Sequence, residues 1–333
     1  MANLARRTPL LPDADQVVWV DVDDTVKPTY GYAKQGAGYG YTHIKGLNAL
    51  VGVVSTPTSA PVIAATRLRK GSANSARGAA SLVAATLATA KRCGASGLVV
   101  ARADSGFYTA EVVAAIGRAG ARFSLTARQN ASVRAAIATI AEDAWTPIHY
   151  PNAVWDEQAG SWVSDAEVAE TGYTAFASRS TRRQVTARLI VRRVKLLPPA
   201  GADQPALVEG YRYHAVFTDS PLTMLQAEAC HRGHAIVEQV IADLKAGPLA
   251  HLPSGKFAAN AAWLTLAAIA HNLTRAAGVL ASRFHAAARP ATIRDQLINV
   301  PARIATSARR LTLHLPTGWR WEHPWRAVLA ALT

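Results

Sequence analysis

The segment QVVWVDV, Gln16 to Val22, constrains the fold more than any other stretch of the chain. It is short, β-branched and aromatic, which is the pattern of a buried strand rather than a helix. Such a strand needs partners on both edges, and the next hundred residues supply them. Leu50–Val54 and Pro61–Ala65 read as two further strands, Gly97–Ala103 (GLVVARA) as a fourth and Ala121–Ala127 as a fifth. Between them, Ser72–Arg92 is Ala-rich with few breakers, and it reads as a helix, as does Tyr108–Arg118. The order β-β-β-α-β-α-β predicts an α/β fold: a mixed sheet flanked by helices. The Gly/Tyr-rich segment that includes Tyr30, Tyr32, Tyr39 and Tyr41 reads as a hairpin or exposed loop.

The charge pattern changes after residue 130. Ala141–Ser178 has no Lys or Arg but seven acids, Glu142, Asp143, Asp156, Glu157, Asp165, Glu167 and Glu170. Arg179–Lys195 has no acid but seven bases, among them Arg182, Arg183, Arg188, Arg192 and Arg193. Val185, Ala187, Leu189 and Val191 alternate through that basic block, so it reads as a strand with one apolar face. The two blocks can neutralise one another, or the basic one can face DNA. We therefore expect residues 1–130 to form the first part of a core and 131–218 a β-rich insertion holding Trp145, Trp155 and Trp162. Residues 219–280 would be the second part of the core and 281–333 a basic C-terminal tail. Ser220-Pro221 reads as a helix start and Gly247-Pro248 as its stop. Residues 257–280 form an apolar helix interrupted by Asn260, His271 and Asn272, too polar for a membrane span.

The formal net charge is +14, and half of it falls beyond His271, where nine Arg meet two acids. A balance so basic favours an anionic partner, nucleic acid first. Two cysteines, Cys93 and Cys230, exclude a disulfide scaffold and a Cys-ligated zinc site. They suit a reducing, cytoplasmic compartment, as does a first segment without a signal-peptide apolar run.

Three acids are placed for chemistry. Asp21 and Asp23 lie two apart on the first strand and share a face, while Asp24 points the other way. Asp104 ends GLVVARA. Carboxylates brought close repel unless a proton or a cation lies between them, and hard oxygen donors suit Mg²⁺ or Mn²⁺. Taken alone, each is as well explained as a turn-former or helix cap. The third acid is Glu238 in HRGHAIVEQVIADLKAG, where His231, His234, Glu238, Ile241 and Lys245 fall on one helical stripe. Ile236, Val237, Val240 and Leu244 form the apolar stripe beside it. His231-x2-His234-x3-Glu238 also has a zinc-like spacing, with no third His or Cys nearby.

WVDVDDT, ARADSGFY and a helix with Glu238 and Lys245 six residues apart resemble, in that order, the three catalytic segments of bacterial DDE transposases. The family's helix pattern Tyr-x2-Arg-x3-Glu-x6-Lys is matched in spacing, with His231 in the Tyr place and His234 in the Arg place. The segments YGYAKQGAGYGYTHIKG and RLRKGSANS are similar to the actinobacterial branch of the insertion-sequence-1380 group. The resemblance implies an RNase H-like fold, with Asp23, Asp104 and Glu238 holding two Mg²⁺ or Mn²⁺ ions and Asp21 a further candidate ligand. It implies hydrolysis at transposon ends followed by strand transfer into target DNA, by a homodimer on double-stranded DNA in the nucleoid. Lys245, His231 and His234 would contact DNA, as would Arg182, Arg183, Arg188, Arg192 and Arg193. Only 22 residues precede Asp23, so we expect a core cut short at its N-terminus, without a recognition domain of its own. An RNase H-type nuclease without strand transfer, or an inactive fragment that still binds DNA, would share these features.

Overall fold

The computed structural model describes residues 1–30, 34–156, 161–195 and 210–332. Of the residues singled out above, Tyr32 and Glu157 lie outside the described residues, as do the side chains of Trp155, Asp156 and Trp162. The chain forms two compact units, residues 1–99 with 236–333, and residues 100–235.

In the first unit a short helix α1 (Ala2–Arg7) precedes strands β1 (Val17–Pro28), β2 (Gly38–Tyr39), β3 (Lys45–Ser55) and β4 (Val62–Lys70). β3 pairs antiparallel with β1 along one edge, and with β2 and then β4 along the other. β1 and β4 run further than the apolar runs that announced them, because their polar ends still have β3 to bond. β3 is buried along nearly its whole length, since helices cover both its faces. Leu47, Ala49, Val51 and Val53 pack on α6 (Ile236–Lys245) and α7 (Phe257–Ala281). On the other face Gly52 lies against Thr86 of α2 (Ala79–Arg92), so closely that a Cβ there would collide with the threonine hydroxyl.

α2 starts seven residues later than the sequence suggests. Arg69 explains the delay: its Nη1 donates to the carbonyls of Asn74, Ser75 and Arg77, which fixes residues 71–78 as a loop. α7 is long and apolar enough to cross a membrane by length and composition. Its buried face nonetheless carries Asn260, His271, Asn272 and Arg275. Asn272 brackets Ile63, accepting from its N–H and donating to its carbonyl. Those groups mark a core helix laid on β4. Beyond it, β11 (Arg303–Ser307) and β12 (Arg310–His314) form an exposed hairpin, and the chain closes with the helix Glu322–Ala330.

The second unit takes up the chain within β5 (Leu98–Ala103). It continues through α3 (Ala110–Arg118), β6 (Arg122–Thr126), α4 (Ala131–Ala138), β7 (Thr146–Asp156), β8 (Ser161–Ala175), β9 (Val185–Lys195), β10 (Tyr211–Thr218) and α5 (Met224–Arg232). The sheet runs β5-β6-β10-β9-β8-β7, parallel only at β5–β6, hence mixed. Phe217 packs edge-on against Tyr108 and Tyr173 and tilted against Phe123.

The single helix expected from Ser220 to Gly247 is two. Thr223, not Ser220, caps α5, in a reciprocal box with Gln226. The break falls at Gly233, where Nη1 of buried Arg102 donates to the Cys230 carbonyl at 2.5 Å. A Cβ at Gly233 would meet that same guanidinium nitrogen at 2.9 Å, so glycine is what lets the arginine end the helix. The protein is therefore mixed α/β, with sheet flanked by helices, as the sequence implied and as an RNase H-like core requires.

Candidate active site

Register decides which acids of β1 face which helices. Residues directly opposite in an antiparallel pair share a face of the sheet. Asp21 lies opposite Val53, Asp23 opposite Val51 and Lys27 opposite Leu47, so all three belong to the face covered by α6 and α7. Asp24 lies opposite Leu50, on the α2 face. There it accepts from Asn48 Nδ2 at 2.7 Å and Arg69 Nη2 at 2.5 Å, and Ser75 Oγ donates to it at 3.2 Å. Asp24 is a structural acid. Asp23 beside it is half-buried, and its Oδ1 accepts the Asp24 N–H at 2.7 Å. Asp21 is fully buried.

α6 packs across β1 and β3 on four buried residues, Val237, Val240, Ile241 and Leu244. Ile241 therefore belongs to the core rather than to the charged stripe. Glu238 stands exposed in the first turn, where a carboxylate is favoured by the helix dipole. Lys245 is two turns on, about 10 Å further along the axis. Its ammonium is held below the ordinary lysine value by desolvation and by repulsion from Lys27, with Asp23 pulling the other way. The strand and the helix thus bring Asp23, Lys27 and Lys245 within one electrostatic neighbourhood. Lys27 was missed in the sequence, although the period-2 rule that paired Asp21 with Asp23 reaches it two steps on.

In the second unit Asp104 follows the last residue of β5. Exposed, it caps the turn Ser105–Phe107, its Oδ1 accepting from Gly106 N–H at 3.0 Å. Among the described residues no three His, Cys, Asp or Glu side chains gather as a metal-holding group. That holds for His231, His234 and Glu238 and equally for Asp23, Asp104 and Glu238. What suits a hard divalent cation is the donor chemistry of Asp23, Asp104 and Glu238, all carboxylate oxygens.

The helix break corrects the single stripe from His231 to Lys245. His231 is buried, its Nδ1 3.0 Å from Ser124 Oγ and its Nε2 2.9 Å from Thr126 Oγ1. Both ring nitrogens are thus engaged inside the unit. His234, half-exposed in the turn Gly233–Ala235, stacks on the His231 ring.

The basic block divides in the same way. Arg193 is 5 % exposed, binds Glu142 and Glu167, and lies over the rings of Trp145 and Tyr211 at 4.2 and 4.3 Å. Its hydrogen bonds to Glu142 push its pKa further up despite burial. Arg188 binds Glu170 together with the carbonyls of Ser220 and Leu222. Arg192 donates to the Tyr150 hydroxyl at 2.8 Å. Arg188 and Arg193 are thus paired with Glu170, Glu142 and Glu167 of the acidic block. Arg182 and Arg183 are exposed, the latter 3.8 Å from Glu111. In the tail, Arg275 is buried and Arg289 binds Asp243, whereas Arg303, Arg309 and Arg310 of the hairpin stand in solvent.

Among curated proteins no relative matches the sequence. The family model for transposase DDE domain group 1 matches residues 6–333, nearly the whole chain. The chain therefore belongs to the transposase DDE domain family, group 1.

Proposed function

We propose that the chain is the catalytic core of a DNA transposase of the insertion-sequence-1380 group, with Asp23, Asp104 and Glu238 holding two Mg²⁺ or Mn²⁺ ions. The observation that supports this best is the β1–α6 arrangement, in which an acid on a central strand shares its surroundings with Lys27 and Lys245. A DNA cleavage site needs carboxylates for cations and, next to them, cations for phosphate. When bound, such ions supply Lewis-acid charge at the scissile phosphate and the leaving 3′-oxygen.

The chain's own groups do the rest. Lys245 and Lys27, which share the surroundings of Asp23, receive the phosphodiester, and their mutual repulsion is relieved when an anion binds beside them. Glu238 projects from a helix anchored by four core residues, so its position is fixed by packing rather than by a loop. Hydrolysis at a transposon end and strand transfer into target DNA are the two steps assigned to this core, acting as a homodimer on paired ends. Exposed Arg182, Arg303, Arg309 and Arg310 supply phosphate contacts without sequence reading.

The test uses duplex DNA carrying the inverted repeats that flank the gene, with pre-cut 3′ ends, in Mg²⁺. Joining of those ends to a target plasmid supports transposition. Nicking without joining reduces the protein to a nuclease of the same fold. Failure of Mn²⁺ to bind wild type better than Asp23→Ala identifies an inactive DNA-binding remnant.

A further inference from the structure

The segment from Tyr30 to Gly46 mixes glycines with aromatics, and among its described residues close packing accounts for Gly36, Gly40 and Gly46. Gly40 and Gly46 lie where a Cβ would strike the carbonyls of Gly71 and Lys27. Gly71 in turn lies against the backbone of Gly38 and Gly46. Gly36 has φ +82°, and a Cβ there would meet the Phe257 ring at 2.9 Å. These glycines let three backbone stretches touch. The tyrosines pack on nothing comparable: Tyr30 is 92 % exposed, Tyr41 97 % and Tyr39 65 %.

Beside this segment is a cavity of about 440 Å³ lined by Gln35, Gly36, Ala37, Lys70, Ser72 and Phe257. Its polar groups are donors. Lys70 brings an ammonium and Ser72 a hydroxyl. The Gln35 side-chain oxygen already accepts the Phe257 N–H at 3.0 Å, so what its amide still has to offer is the NH₂ donor. Phe257 is the first residue of α7, so the positive end of a 25-residue helix adds to the field. The Phe257 ring forms an apolar wall. A Cβ on Gly38, the neighbour of Tyr39, would lie 3.7 Å from the backbone nitrogen of Ser72, so the strand that carries Tyr39 runs beside the cavity lining. Donors for a phosphate, an aromatic wall and stacking surfaces outside it are the equipment for a nucleotide without a base-pairing partner. A paired base offers no free π-face to a side chain.

We infer that this cavity and Tyr30, Tyr39 and Tyr41 hold an unpaired nucleotide of the DNA, its phosphate at Lys70 and Ser72 and its base against an aromatic ring. The inference rests on the DNA-processing reading above and adds which part of the DNA this surface takes. It gives the protein a preference for frayed or single-stranded DNA beside the duplex.

The test compares a blunt duplex with the same duplex carrying a five-nucleotide single-stranded tail with 2-aminopurine in it, both without divalent metal. The full chain is expected to bind the tailed duplex at least fivefold more tightly and to quench the 2-aminopurine emission. Replacing Tyr30, Tyr39 and Tyr41 together by Ala removes the quenching and the preference, a loss of about fivefold to a hundredfold for base stacking, with blunt-duplex affinity unchanged. Replacing the same three by Phe retains both. Lys70→Ala weakens the tailed duplex more than the blunt one. Because these tyrosines lie in solvent, the variants keep the fold. Equal affinity for the two duplexes, or an Ala triple variant that keeps the preference, overturns the inference and leaves the DNA reading intact. Binding of neither duplex overturns both.

Discussion

Arg69 on β4 reaches past Asn48 of β3 to bind Asp24 on β1, Nη2 to Oδ2 at 2.5 Å, so three strands are tied together on the α2 face. The same guanidinium closes the loop after β4 through three carbonyls. Burial draws its pKa below the ordinary value, and Asp24 opposes that pull. One residue away, on the opposite face, Asp23 shares its surroundings with Lys27 and Lys245. Adjacent aspartates thus carry separate duties because a strand alternates its sides.

That separation predicts opposite phenotypes. Asp24→Ala leaves Arg69 largely buried without its counter-charge and lowers stability by about 3 kcal/mol. Asp23→Asn leaves the unfolding free energy within about 0.5 kcal/mol of wild type and lowers the cleavage rate about a hundredfold or more. Equilibrium unfolding of the two variants side by side measures the difference. Equal destabilisation would place both residues in the same network.

The basic block predicts an uneven salt response. Arg182→Gln removes an exposed charge and reduces the log–log salt slope of DNA binding by about 0.9. Arg193→Gln removes a charge already matched by Glu142 and Glu167, so the slope stays while the unfolding midpoint falls. Fluorescence anisotropy between 50 and 200 mM salt, about the usual working range, reads both slopes. An Arg193 variant that changes the slope would show that it reaches phosphate.

Acid should weaken the first unit through His271. Desolvation lowers its pKa from 6.5 to about 4 in the folded chain. Between those two values the unfolded chain binds the proton and the folded chain does not, so stability falls as the pH falls through that window. The loss attributable to this one group reaches about 3 kcal/mol near pH 4. His271→Asn should flatten the decline between pH 6.5 and 4.5 in urea titrations. An unchanged decline would assign it to the carboxylates.

Much of this was legible in the sequence, and the exceptions share a cause. The strands were readable because β-branched runs have few alternatives. Asp23 and Asp24 could be assigned to opposite faces from period alone. The late start of α2 was not readable, because it depends on Arg69 taking carbonyls that the sequence shows only as a polar stretch. The break at Gly233 was equally hidden. A lone glycine is tolerated within a helix, and only the approach of Arg102, 131 positions earlier, turns it into an end. His231 kept the spacing of a site residue while its ring was taken by Ser124 and Thr126, a tertiary contact that no local pattern records. The opposed charge blocks left neutralisation and DNA contact both open, and only the pairing of β8 with β9 brings Arg193 opposite Glu167.

The central claim is that Asp23, Asp104 and Glu238 act as one set of metal-holding carboxylates in DNA cleavage. Its most direct measurement is the single-turnover rate of nicking of an end-labelled duplex in Mg²⁺ by wild type, Asp23→Asn, Asp104→Asn and Glu238→Gln, with DNA affinity measured on the same samples. The account predicts nicking by wild type that stops on chelation. It predicts rates lowered about a hundredfold or more in each variant, non-additive when variants are combined, with affinity within about twofold of wild type. Any one variant that nicks at the wild-type rate would contradict it.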